Sequence, residues 1–162
     1  MATIRVDGTP EPAGSKSAYP YRKGSGKLGV MVVDGNPKAK AWQRQVQRAA
    51  AEQYDGLMMT GPIHLSLHFV FARPKSHFSR GGKLKRDAPR QHTTKPDALK
   101  LARAVEDALT GVIYLDDSQI ITEYITKRYG EYSRVLISVS DEVRDDEAET
   151  ATTKAEATTY PA

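Results

Sequence analysis

Three aspartates set the chemistry open to this 162-residue chain. Asp97 stands between Lys95-Pro96 and an amphipathic run, and Asp116 and Asp117 follow that run after a short apolar stretch. Carboxylates from separate elements therefore bracket one helix. A hard divalent cation such as Mg²⁺ takes oxygen ligands and completes its shell with water and substrate phosphate, so converging carboxylates are what it requires. The chemistry that follows is phosphodiester cleavage. The same residues also allow a plainer reading, with Asp97 as a helix N-cap accepting from free backbone N–H groups and Asp116-Asp117-Ser118 as an ordinary turn.

The elements that must hold these residues are legible as patterns. Lys95-Pro96 disfavours helical geometry just before Asp97. Ala98, Leu101, Ala102, Val105, Ala108 and Leu109 then recur at three- and four-residue steps, which makes one apolar face and leaves Leu99, Lys100, Arg103, Glu106 and Asp107 off it. Gly111 is a stop signal. Residues 112–115 read as a short strand that delivers Asp116 and Asp117 to its far end.

Upstream, Ile4-Arg5-Val6 alternates as a strand, residues 8–27 read as a loop rich in Pro, Gly and Ser, and residues 30–33 as a second strand before the turn Asp34-Gly35-Asn36-Pro37. Residues 39–54 read as an amphipathic helix with Trp42, Val46 and Ala49 or Ala50 inward, and Trp42 as core rather than a base-stacking platform. Residues 63–72 alternate His64, Ser66 and His68 against Leu65, Leu67 and Phe69, a strand whose histidines make a polar face and lack the further ligand a metal would need. After Gln119, residues 120–127 and 134–139 read as two strands around a turn, a hairpin. The expected architecture is α+β, a small single domain over residues 1–140 with a mixed β-sheet packed with two main helices. Residues 141–162 form an acidic tail expected to be disordered.

Charge sharpens the picture. Residues 1–140 carry 22 Lys and Arg against 13 Asp and Glu, whereas residues 141–162 carry two against seven. The domain is thus much more basic than the whole chain at +4. Residues 73–95 hold eight Lys and Arg and a single Asp, a long basic loop immediately before the carboxylates that favours a polyanionic substrate. Arg73, Lys75, His77, Lys83, Lys85, Arg86, Lys95 and Lys100 are the candidate phosphate contacts there. Lys16, with Arg22, Lys23 and Lys27, could also meet phosphates or belong to a solvated loop. With no cysteine, no stretch apolar enough to span a bilayer and no apolar signal core at the N-terminus, the default expectation is a soluble cytoplasmic protein without membrane contact.

Lys95-Pro96-Asp97, then residues 107–111 (DALTG), then residues 116–120 (DDSQI), and Lys127 eight residues beyond Gln119 resemble, in order and spacing, the RusA family of Holliday junction resolvases with its phage and prophage members. Arg73-Pro74-Lys75-Ser76-His77 and Trp42 are weaker echoes. The resemblance implies a homodimeric, Mg²⁺-dependent endodeoxyribonuclease, with Mn²⁺ as a substitute ion, that nicks four-way DNA junctions in a bacterial or phage-infected cell. It places Asp97, Asp116 and Asp117 at the metal and Arg103 and Lys127 beside the reacting phosphate. This chain departs from the family pattern where a second Asp, an Asn and a Lys are usual, carrying Leu99, Lys100 and Arg103. Leu99 cannot ligate a metal, Arg103 offers a planar fork in place of an ammonium, and Asp116 is the expected substitute ligand. Glu106 lies two turns from Leu99, about 10 Å by helix rise, too far to replace it. The alternative function is a catalytically weakened module that binds branched DNA without efficient cutting.

Overall fold

The structure is a computed structural model that describes residues 1–14, 16–34 and 36–141. The tail expectation for residues 142–162 lies outside them. Four strands, β1 (Ala2–Asp7), β4 (Ile63–Ala72), β5 (Ile120–Gly130) and β6 (Arg134–Ser140), form one sheet in the order β1-β6-β4-β5. Helices α1 (Ala39–Gln53) and α2 (Ala98–Leu109) pack on one of its faces, and β2 (Lys16–Arg22) pairs with β3 (Leu28–Asp34) in a separate two-stranded ribbon. The sheet is mixed: β1, β6 and β4 run antiparallel to their neighbours, while β4 and β5 are parallel. A parallel pair needs a crossover, and α2 is that crossover. This is the α+β architecture expected, with both helices in place.

The period of two in β4 and β6 and the 3.6-residue stripe of each helix face one another. Leu65, Leu67 and Phe69 from β4 and Val135, Ile137 and Val139 from β6 bury against Trp42, Val46 and Ala50 of α1 and Leu101, Val105 and Leu109 of α2. Each large aliphatic or aromatic side chain so buried contributes about 1.5–3 kcal/mol. Trp42 is 3% exposed and belongs to the core, as its helical position requires. The opposite sheet face is polar. There His68 Nδ1 lies 2.8 Å from Thr126 Oγ1, and the His68 ring meets Tyr124 edge-on at 5.8 Å.

Three local expectations are corrected. Strands β5 and β6 do not form a hairpin, because β4 lies between them and pairs with both. The end of β4, Phe69-Val70-Phe71, is buried on both faces, so β4 takes a central position and the chain steps over its end through residues 131–133. Gly130 makes the step, since a Cβ there would stand 2.5 Å from Val70 Cγ1. Residues 112–115 are a tight turn under the end of α2 rather than a strand. Val112 and Ile113 N–H both donate to Leu109 O at 3.0 Å, so backbone groups a strand would have used instead satisfy the helix C-terminus. Gly111 sits at φ +76°, the left-handed conformation of a helix stop. Finally, residues 8–27 contain β2. Its partner is β3, and Tyr19, Tyr21, Leu28 and Val30 remain exposed, so no buried face imposed a period on the sequence.

Candidate active site

Helix α2 runs back along β5, and charge neighbours fix their register. Lys127 feels the charge of Asp97, whereas Glu106 feels Glu123 and Asp117. Nine helical residues separate Asp97 from Glu106, about 13 Å of rise. Four strand residues separate Lys127 from Glu123, again about 13 Å. The two spans match and define a groove with Asp97 and Lys127 at one end and Asp117, Glu106 and Glu123 at the other.

At the second end, a cleft of about 330 Å³ is lined by Glu106, Asp117, Ile120, Ile121, Thr122 and Glu123. Burial pushes the Glu106 carboxyl up to about 7, with hydrogen bonding to Glu123 and the charges of Glu123, Asp117 and Asp107 acting in the same direction. Glu123 Oε1 is buried without a hydrogen-bond partner. An orphaned carboxylate oxygen beside a carboxyl whose ionisation is opposed by burial and by neighbouring acids is the donor chemistry a hard divalent cation would relieve. Tyr114 lies beneath, fully buried, its hydroxyl donating to Glu106 O at 3.2 Å, and burial raises its pKa.

Asp117 begins a 3-10 turn, Asp117–Gln119, whose geometry explains the Asp-Asp-Ser-Gln spacing. Asp116 caps that turn by accepting from Ser118 N at 2.9 Å, and hydrogen bonding from the Ser118 side chain, with this backbone bond adding to it, holds its exposed carboxylate below the usual range. Gln119 Oε1 accepts from Leu115 N and Asp116 N at 2.9 and 3.0 Å, while its Nε2 donates to Met59 O at 3.2 Å and Gly61 O at 2.8 Å. Gln119 thus bolts the turn to the segment before β4, and the Asp116 carboxylate is engaged in capping the turn that presents Asp117.

Asp97 precedes α2 in an extended conformation but makes no capping hydrogen bond, so its exposed carboxylate does not perform the cap role. The Lys95-Pro96 peptide bond before it is cis. Lys127 Nζ donates to Thr94 O at 2.9 Å and to Pro96 O, holding this segment against β5, and burial lowers its pKa while Asp97 opposes the shift. Arg103 and Leu99, the latter 73% exposed, lie on the outer stripe of α2 with Glu106. Among the described residues, no group of three or more His, Asp or Glu side chains is arranged to hold an ion. Asp97, Asp116 and Asp117 therefore do not assemble into one ligand set within a single chain. Sequence reasoning set Glu106 aside as too far from Leu99 and missed Glu123. The available signal was Glu123, an acid alternating with Ile125 and Lys127 on the helix-facing side of β5.

The basic segment is partly self-bound. Arg73 stacks over Tyr129 at 5.7 Å and donates to Pro89 O at 2.7 Å, and Lys85 Nζ donates to Ser76 O at 2.8 Å. His77 lies in the 3-10 turn Lys75–His77 and meets the Tyr129 ring edge-on at 4.8 Å. Lys75, Lys83, Arg86, Lys95 and Lys100 are exposed. Lys16 begins β2 on the separate ribbon.

The raised Glu106 pKa has a measurable consequence. Between its unfolded value of 4.5 and about 7, the folded chain holds a proton that the unfolded chain has lost, so stability falls as pH rises through that window. Glu106→Gln removes the penalty. With metal chelated it should raise stability at pH 8 by about 1 kcal/mol, after discounting for a half-exposed group, and leave it unchanged at pH 4. Thermal melts at the two pH values check this, and an equal effect at both would contradict the burial account.

Comparison of the sequence with known proteins matches it to a family. The YqaN protein of Bacillus subtilis (strain 168), itself uncharacterised, is 30% identical over 122 residues, covering 74% of this chain and 85% of that protein. The family model for Endodeoxyribonuclease RusA matches residues 11–140, which include α1, β4, the basic segment, α2, the Asp117 turn, β5 and β6. The chain belongs to the RusA endodeoxyribonuclease family.

Proposed function

We propose that this protein is a divalent-cation-dependent endonuclease that resolves four-way DNA junctions by paired nicks, acting as a homodimer. The observation that carries this reading is the α2–β5 groove, in which Asp117, Glu106 and Glu123 face Asp97 and Lys127 along about 13 Å beside an exposed basic segment. Mg²⁺, or Mn²⁺ in its place, would be met by Asp117 beside the orphaned Glu123 oxygen at one end of the groove and by Asp97 at the other, with water and DNA phosphate completing each shell. When bound, such an ion polarises the scissile phosphate and lowers the pKa of a water. Lys127 keeps the Asp97 segment in place, Arg103 stands on the same stripe of α2 to meet phosphate charge, and Lys75, Lys83, Arg86, Lys95 and Lys100 grip the DNA backbone. Two nicks related by a two-fold axis call for two copies of the site.

The test is cleavage of a synthetic four-way junction with and without Mg²⁺, beside a linear duplex of the same sequence. Junction-restricted nicking supports the proposal; cutting of both substrates alike removes junction selectivity. A second reading, a junction-binding module with little cleavage, is favoured by the exposed Leu99 where the family pattern carries an Asp. Tight binding without nicking in the same assay selects it.

Leu99→Asp bears on both. Position 99 is 73% exposed, so the substitution should change stability by less than about 0.5 kcal/mol. Adding a carboxylate on the groove should lower the Mg²⁺ concentration for half-maximal cleavage. An unchanged metal requirement would remove Leu99 as the missing-ligand position.

A further inference from the structure

The helix-facing side of the sheet continues past the N-terminus of α2 and ends in a cleft of about 430 Å³ that the cleavage site does not use. Its walls include Phe71, Tyr129 and His92, with the hydroxyl residues Thr9, Thr94 and Ser133 around them. His92 is only 8% exposed, stacks on Phe71 with ring centroids 4.1 Å apart and planes at 26°, and tilts toward Tyr129 at 4.8 Å. Its Nδ1 is buried with no hydrogen-bond partner. Burial lowers the pKa of the imidazole and the charge of Lys127 adds to this, against backbone hydrogen bonding at His92 and Thr94, so the surroundings favour the uncharged ring, an aromatic surface with polar edges.

The position matters as much as the composition. Thr94 lines the cleft and lies three residues before Asp97, and its carbonyl is one of the two held by Lys127. Arg73 lies over the Tyr129 ring at 5.7 Å. A ligand suited to this place is flat, aromatic, edged with hydrogen-bonding groups and attached to an anion. Nucleobases are sequence-tolerant partners of aromatic side chains because each has a π-face, and enzymes that take a base from its stack receive it in such a pocket.

We propose that this cleft receives one unpaired base of the DNA substrate, drawn out of the stack beside the phosphate presented to the Asp97 end of the groove. The proposal rests on the DNA-cleaving function above and adds the feature of the branch point that is gripped. An open branch point interrupts base stacking across its arms, so the base pairs at the crossover open at lower cost than those inside a duplex, and occupancy of the cleft would favour junctions over intact duplex.

The experiment compares binding, with metal chelated to prevent cutting, of labelled duplexes carrying a one-nucleotide bulge that is either a normal nucleotide or an abasic residue. The full-length wild-type chain should bind the base-containing bulge about tenfold more tightly, in line with the worth of one stacked base. Thr9→Trp places a bulky ring in the cleft from an exposed loop position and should abolish that preference while leaving affinity for the abasic bulge unchanged. Equal wild-type affinity for the two bulges, or an undiminished preference in Thr9→Trp, overturns the proposal. Displacement of the bulged DNA by a free deoxynucleoside monophosphate at micromolar concentration would also overturn it, by making the cleft a mononucleotide site. A fully paired four-way junction run alongside separates the two ideas. Base preference without junction preference supports the cleft and removes junction selectivity, while junction binding without base preference removes only the cleft.

Discussion

Asp117→Asn should lower Mg²⁺-dependent cleavage of a four-way junction at least a hundredfold while leaving junction affinity unchanged or higher. The scale is that of removing a preorganised electrostatic group from a reacting phosphate. Affinity should not fall, because the lost carboxylate repels DNA whenever no cation neutralises it. Asp97→Asn should behave in the same way, and here the structure separates function from folding. An N-cap contributing its usual share would take about 1 kcal/mol of stability with it. Asp97 makes no capping hydrogen bond, so its melting temperature should not move. Asp116→Asn is the internal control: an amide oxygen can still accept from Ser118 N, and cleavage should stay within a few-fold of wild type. Full activity in Asp117→Asn, or equal losses at all three positions, would sink the assignment of Asp117 as the carboxylate that acts.

The contrast between Asp116 and Asp117 shows what sequence could and could not tell. Helix α2 was legible to its boundaries because a local pattern specifies it: Pro96 before, a 3.6-residue apolar stripe within, and Gly111 at a positive φ after. Strands β4 and β6 were equally plain from their alternation. The pairing of strands was not, since whether β6 lies beside β5 or β4 depends on which strand must be buried on both sides, a property of the assembled sheet. Residues 112–115 misled for a related reason: a short apolar run looks alike whether it extends as a strand or folds under a helix end. Glu106 was measured along the helix from Leu99 and set aside, although its partners, Glu123 and Asp117, approach from β5 and the preceding turn. Distance along one element says little about neighbours across a groove. Gln119, recognised only as part of a motif, proved to be the residue that fixes the turn on which Asp117 stands.

Lys127 is where the structure most changes the chemistry expected. A lysine at this place in the motif suggests a cation aimed at the reacting phosphate, yet its Nζ donates to the backbone carbonyls of Thr94 and Pro96. Two charge-assisted hydrogen bonds from a partly buried ammonium are worth about 1.5–3 kcal/mol each against removal of the donor. Their effect is to tie the segment carrying Asp97 to the middle of β5. Lys127→Met should therefore lower the melting temperature by several degrees, reduce cleavage at least a hundredfold, and raise the Mg²⁺ concentration for half-maximal cleavage because Asp97 is no longer held in place. Lys127→Arg is the decisive partner. Its guanidinium keeps the charge but is a wide planar fork, ill matched to two carbonyls converging on one compact ammonium. If Lys127 acts by position, the arginine variant should lose nearly as much activity as the methionine variant. If it acts by charge alone, arginine should restore most of the rate and leave the metal requirement at its wild-type value, and that outcome would overturn the positioning role.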